Sequence, residues 1–181
     1  MTIREKSGAH QVFIAVGSNL GNRIRSCRLG VDLLSEAGDV RVIKHSRYYY
    51  TAPLDYTEQP WFINAVFQAV TEIGPYELIE RLKAAETAAG RADGEIKFGP
   101  RVLDLDLIFY DNLVINTPQL TVPHPRMHQR AFVLKPLGDI APQLIHPVLG
   151  LTAGELLKDD LVASQQCIAV ENKVIDKKAF A

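Results

Sequence analysis

Two stretches with helical spacing, each flanked by runs with strand spacing, limit this chain to very few architectures. Ile24, Cys27, Val31 and Leu34 recur three and four residues apart, as do Leu78, Leu82 and Ala85. Each set falls on one stripe of a helix. Residues 12–16 form a short apolar run, and residues 40–51 are rich in β-branched and aromatic side chains. Residues 61–73 alternate, with Ile63, Ala65, Phe67 and Ala69 on one face and Phe62, Asn64, Val66 and Gln68 on the other. A fourth strand signal lies in 99–109. The turns agree: Gly38-Asp39 closes the first helix and Gly74-Pro75 opens the second. The order is therefore β-α-β-β-α-β. It predicts a ferredoxin-like α+β domain, an antiparallel sheet with both helices on one face and the other face open to carry a site.

The remaining chain predicts extra C-terminal elements: a short strand at 113–116, a loop at 121–125, a helix over 129–137 and a helical turn at 153–157. Residues 1–10 read as a flexible leader, 11–158 as a single domain and 159–181 as a peripheral strand or tail. A length of 181 residues supports one well-buried core. The formal net charge of −1 argues against a broad nucleic-acid or membrane surface, while leaving room for a local basic site. Cys27 and Cys167 form no Cys-x-x-Cys pair, so neither a disulfide framework nor a zinc site is expected, and Cys27 reads as core. No apolar run is long enough to span a membrane, and the polar first eleven residues lack a signal core. A cytoplasmic protein is the expectation.

Chemistry concentrates in the strand that holds Asp104 and Asp106. Period-two alternation puts both carboxylates on one face, with Leu103, Leu105 and Leu107 on the other. Their Cα atoms should lie about 6.6 Å apart. Two carboxylates that close repel unless a proton or a cation compensates them. Hard oxygen ligands beside Arg101 suit Mg²⁺ carrying a nucleotide polyphosphate, against the plainer reading of a solvated strand face. Arg91, Lys97 and Arg101 cluster in and around the preceding loop, where Gly94 and Gly99 give it freedom to clamp phosphates. Phe62 and Asn64 share a strand face and suit a flat heterocycle, one stacking and the other reading the ring edge. His124 sits between Pro123 and Pro125, with Arg130 and Phe132 close behind. The histidine and the arginine could each contact phosphate, and Phe132 could offer a second stacking surface. Gly17-Ser18-Asn19 is no phosphate-binding loop, since no Gly-Lys-Ser/Thr follows, and reads as a structural turn. His10, His45, His128 and His146 read as surface or packing residues.

Four motifs occur in register: Gly-Ser-Asn-Leu-Gly at 17–21, Gln-Pro-x-Phe-x-Asn at 59–64, Gly-Pro-Arg-x-Leu-Asp-Leu-Asp at 99–106 and Val-Pro-His at 122–124. Together they make residues 12–150 resemble the 6-hydroxymethyl-7,8-dihydropterin pyrophosphokinase family of the folate pathway. The resemblance implies transfer of pyrophosphate from ATP to the pterin hydroxymethyl group, with release of AMP. It implies two Mg²⁺ ions on Asp104 and Asp106, with ATP as co-substrate. It places Phe62 and Phe132 around the pterin, Asn64 on its edge, and Thr51 and Leu54 completing that pocket. Arg91, Arg101, His124 and Arg130 would face ATP phosphates or the pterin-side approach, with Arg91 and Arg101 counted as catalytic beside the aspartates. Glu86 matches a nucleotide-side position, and Leu107 and Thr121 match positions lining adenine and ribose. A single domain acting alone is implied, with no nucleic-acid or membrane partner.

Some positions depart from the family pattern. Phe62 stands where tyrosine is frequent, Asp93 where some members carry arginine and Phe98 where they carry tryptophan, and Lys83 and Gln119 also differ. These changes leave the carboxylate pair intact and predict altered ATP affinity or loop kinetics. Two other function classes compete: a catalytically silent pterin- or nucleotide-binding relative, and an RNA-binding sheet face. Retention of both aspartates and their flanking arginines weighs against the first, and the near-neutral charge against the second.

Overall fold

The computed structural model describes residues 8–91 and 98–171. Asp93, Gly94 and Lys97 of the predicted clamp loop, part of the predicted leader and the last ten residues lie outside them. Four strands and two helices follow the expected order: β1 (His10–Ser18), α1 (Arg23–Glu36), β2 (Val40–His45) with β3 (Tyr49–Thr51), β4 (Phe62–Thr71), α2 (Pro75–Ala88) and β5 (Asp104–Tyr110). The predicted 40–51 strand is broken at Ser46. There the Ser46 hydroxyl accepts from the Val66 amide at 3.0 Å while its own amide donates to Val66 O, so a side chain stands in for part of the ladder. Both pieces still pair antiparallel with β4.

Helices α1 and α2 cover one face of the sheet. Cys27 and Leu34 meet Leu78 and Leu82 there, over Ile63, Ala65, Phe67, Ala69, Leu103, Leu105 and Leu107. The opposite face is not open along its length, which corrects the sequence-based expectation. A short 3-10 turn (Met127–Gln129) leads into α3 (Ala131–Ile140), which lies against β4. Val133, Leu134 and Leu137 then close a second core on Phe13, Val66, Ile108 and Phe109. Amphipathic spacing finds a helix but not the layer it joins, so the sheet is sandwiched where a bare face was expected.

Two short strands, β6 (Ile115–Asn116) and β7 (Thr121–Val122), form a separate hairpin, so part of the predicted 121–125 loop is strand. Helices α4 (Ala153–Leu156) and α5 (Asp160–Ala163) follow, and β8 (Cys167–Ala169) pairs with β3. Within the stretch read from sequence as a peripheral tail, Val162 and Cys167 belong to the second core. The sheet order is β5-β1-β4-β3-β8, with β2 also on β4, which leaves β5 as an edge strand. That placement decides where the site lies. Among the described residues, no helix is long and apolar enough to cross a membrane.

Candidate active site

Strand β5 pairs with β1, setting Asp104 beside Gly17 and Asp106 beside Ala15. Both aspartates are half-buried, and Leu105 and Leu107 between and after them are buried on the helix side, as alternation predicts. Around the free edge of β5 wraps a cavity of about 650 Å³. On the sheet face it is bounded by Asp104, Asp106, Phe62, Asn64, Thr51 and Phe132. Beyond the strand edge, Leu107, Thr121, Glu86 and the apolar Ile79, Leu82 and Leu120 continue it. Leu54, Arg91, Arg101, His124 and Arg130 complete the wall, so every residue that the family resemblance assigns to the site lines this one space. Lys83, Gln119 and Phe98, three of the five departures from the family pattern, line it as well.

The two carboxylates are held differently. Asp104 Oδ1 accepts from Arg101 Nη1 at 2.8 Å and from Arg91 Nη1 at 3.0 Å. Among the described residues none donates to Asp106. Its burial, together with the neighbouring Asp104 charge, pushes its pKa well above the ordinary carboxylate range. A half-buried acid pair, one member of which receives no hydrogen bond from the described residues, is a donor set a hard divalent cation would complete. No group of three or more acidic, histidine or cysteine ligands occurs among the described residues. Two carboxylates suit Mg²⁺, which keeps waters and takes substrate phosphates as further ligands.

Glu86 reaches from the last turn of α2 to the exposed edge of β5. One oxygen accepts the Leu105 amide at 2.7 Å and the Arg91 guanidinium at 2.6 Å. An edge strand leaves amides unpaired, and Glu86 satisfies one of them beside the carboxylate pair. Burial raises its pKa, and the Leu105 amide opposes that rise. His124 is set by its backbone amide on Ile108 O at 3.0 Å, and its Nδ1 accepts from the Arg126 amide at 3.2 Å. An accepting Nδ1 leaves the proton of the neutral ring on Nε2. Burial and the charges of Arg130 and Arg126 lower the His124 pKa to about 4. At neutral pH His124 therefore presents a neutral Nε2–H donor, not a positive charge.

On the aromatic side, Asn64 donates to the Thr51 hydroxyl at 2.7 Å, the network that a buried amide in this position calls for. Its Oδ1 lies over β1, 2.5 Å from where a side-chain carbon on Gly17 would be. Glycine at 17 is therefore a steric requirement of the Asn64 position.

Asn19 was read from sequence as part of a turn, and the fold gives it a larger task. Its amide donates to Gln59 Oε1 at 2.9 Å and Pro60 O at 3.0 Å, while its Oδ1 accepts from the Arg101 amide at 2.7 Å. Gln59 in turn donates to Phe98 O at 2.8 Å. One buried side chain thus ties the loop after β1 to both the 52–61 loop and the segment that carries Arg101. No periodic signal marks it, because all its partners are on other loops. Asn19→Ala is expected to cost about 1–3 kcal/mol, since it strands several buried partners. It is also expected to weaken ligand binding in the cavity several-fold. Chemical denaturation and equilibrium binding check both expectations. Arg126 and Asp55, also lining the cavity, were not singled out from sequence either.

Comparison with known proteins gives a consistent picture. Residues 13–142 match the family described as 7,8-dihydro-6-hydroxymethylpterin-pyrophosphokinase (HPPK). The chain is 42% identical over 132 residues to a Bacillus subtilis 2-amino-4-hydroxy-6-hydroxymethyldihydropteridine pyrophosphokinase, covering 73% of this chain and 78% of that one. It is 46% identical over 139 residues to an Arabidopsis thaliana mitochondrial folate synthesis bifunctional protein, covering 77% of this chain. The chain spans only 25% of that relative's length and 22% of a Pneumocystis carinii folic acid synthesis protein. Its fold resembles a Plasmodium falciparum HPPK-DHPS crystallised with pterin and p-hydroxybenzoate, at a TM-score of 0.67 and 15% identity, covering 85% of this chain and 44% of that one.

Proposed function

The chain belongs to the 7,8-dihydro-6-hydroxymethylpterin-pyrophosphokinase family, and we propose that it transfers the pyrophosphoryl group of ATP to 6-hydroxymethyl-7,8-dihydropterin, releasing AMP, in folate synthesis. The observation that carries this reading is one cavity lined together by a carboxylate pair, four arginines, the aromatic and amide side chains of Phe62, Phe132 and Asn64, and the apolar Ile79, Leu82 and Leu120. A flat polar ring and a nucleotide base can then occupy opposite ends of the same space, with phosphates between.

In this reading Asp104 and Asp106 hold Mg²⁺, two ions by family resemblance. Bound there, the metal supplies charge neutralisation for the triphosphate and lowers the pKa of the hydroxyl. The chain's own residues do the rest. Phe62 and Phe132 stack on the pterin, and Asn64, fixed by Thr51, reads its edge. Leu54 closes that pocket. Leu107, Thr121 and the apolar residues beyond β5 receive adenine and ribose. Arg91 and Arg101 leave Asp104 for phosphate oxygens, and Arg130 and the Nε2–H of His124 add donors from the opposite wall. Glu86 keeps β5 and Arg91 in place.

The hydroxymethyl oxygen forms a bond to the β-phosphorus as the bond from that phosphorus to the bridging α-phosphate oxygen breaks. AMP carries that oxygen away, and the hydroxyl proton passes to solvent. The chain positions the two reactants in line, which converts a bimolecular step into an intramolecular one.

The test supplies ATP, Mg²⁺ and the hydroxymethyl pterin and identifies the nucleotide product. AMP in equal amount to pyrophosphorylated pterin is expected. ADP would replace this reading with an ordinary kinase, and absence of turnover with tight pterin binding would point to a silent relative. Repeating the assay with a chelator tests the metal requirement.

A further inference from the structure

Asp55 lies in the 52–61 loop, at the rim of the cavity, and no role in the reaction just described uses it. Its carboxylate meets two arginines from the opposite wall. Arg126 Nη1 donates to Oδ1 and Oδ2 at 3.3 and 3.2 Å. Arg130 Nη2 stands 3.6 Å from Oδ2. Arg126 also lies over the Phe98 ring, 4.6 Å from its centroid. That wall therefore carries two guanidiniums and a neutral His124, with Arg126 paired to Asp55 and Arg130 shared between Asp55 and Asp106. On the wall across from it, Arg91 and Arg101 are matched by Glu86 and Asp104.

Asp55 and Arg126 are each 40% exposed at the side chain, while Arg130 is 11% exposed. An exposed pair of this kind is worth little in itself and exchanges readily for a stronger anion. A phosphate offers more charge and more acceptor oxygens than a carboxylate, and arginine forks bind it bidentately. We propose that Asp55 is an internal stand-in anion: it occupies Arg126 and Arg130 in the empty enzyme and gives them up to the polyphosphate, so that it competes with the nucleotide. Arg126 thereby becomes a phosphate-positioning residue. This rests on the pyrophosphokinase reading of the cavity and adds to it a residue that lowers nucleotide affinity.

The exchange has a further consequence for the 52–61 loop. That loop carries Leu54 on the pterin side and, through Gln59, is tied to Asn19 and Phe98. Releasing Asp55 from the arginines frees one of its attachments when nucleotide arrives.

The test is equilibrium binding of Mg²⁺ with α,β-methylene-ATP, which cannot undergo the transfer, to the wild-type chain and to variants. Asp55→Asn, which keeps size and removes charge, is expected to bind about three- to ten-fold tighter at 50 mM salt. The gain should shrink at 500 mM salt, where exposed charges are screened. Asp55→Glu retains the charge and should stay near wild type. In an Arg126→Gln background, Asp55→Asn should bring much less gain, because half of the released donors are gone. Unchanged or weaker binding by Asp55→Asn would overturn the proposal and leave Asp55 a loop staple. A gain equally large in Asp55→Glu, or undiminished without Arg126, would overturn it too. Failure of the wild-type chain to bind the analogue would instead sink the pyrophosphokinase reading itself, so the two failures are distinct.

Discussion

Asp106→Ala is expected to lower turnover by about 10³-fold or more while leaving the protein folded, and Asp106→Asn to do the same with less change in packing. Each removes one of the two carboxylates that β5 carries side by side into the cavity. The same change should make the metal-free protein more stable above neutral pH. Burial and Asp104 raise the Asp106 pKa in the folded state. Such an acid costs nothing below the unfolded carboxylate value of about 4, where it is protonated in both states. As pH rises from there through the raised folded pKa, the unfolded chain releases its proton first, and stability is lost. Asp106→Asn removes that loss, so its thermal stability should fall less between pH 5 and pH 8 than that of the wild type. At pH 8 the gain in Tm is expected to be about 2–4 °C, the shift that roughly 1 kcal/mol gives a chain of this size. Scanning calorimetry across pH measures it. A variant that kept near-normal rates would remove the pair from the mechanism. A variant no more stable than wild type would show the repulsion to be relieved by other means.

The second large effect is expected at a residue with no side chain. Gly17→Ala puts a carbon 2.5 Å from Asn64 Oδ1, closer than such contacts occur, so Asn64 must move. Asn64 is 8% exposed and is tied to Thr51, so moving it disturbs a buried hydrogen bond as well as packing. The expected cost is about 1–3 kcal/mol of stability. Activity should suffer more. A displaced ring-edge donor raises KM for the pterin by about 10- to 100-fold, in line with the loss of a buried hydrogen bond, and leaves nucleotide-analogue affinity nearly unchanged. Gly17→Ala combined with Asn64→Ser relieves the clash and should recover stability without recovering pterin affinity. Denaturation curves and the two binding constants separate these outcomes. Equal loss of both ligands would mean that the substitution disturbs β1 as a whole.

Local relations made much of this protein legible. The helical stripes of α1 and α2 depend on residues three and four apart, and the Asp104/Asp106 and Phe62/Asn64 pairs on residues two apart. Their partners are neighbours in sequence, so periodicity alone sets their geometry. Pro75 at the start of α2 and Gly38, with φ of 78°, just past α1 behave as turn chemistry dictates. The break at Ser46 was not legible, because its cause is a hydroxyl reaching the Val66 amide on the neighbouring strand. A period-two pattern contains no record of such a substitution in the ladder.

What the sequence determined by itself, then, is the order of elements, the face on which each strand carries its polar residues, and the presence of two carboxylates side by side. Those follow from the fixed periods of helix and strand. Only the tertiary structure decided that α3 would cover most of the second face, that β5 would be an edge, and that the cavity would wrap around it. Only the tertiary structure brought Asn19 to Arg101, 82 residues on, and Arg126 to Asp55, 71 residues before it. These contacts join loops, where no period fixes the direction of a side chain. Their geometry depends on how the layers pack, and it is packing that turned a strand with two aspartates into one wall of a two-ended site.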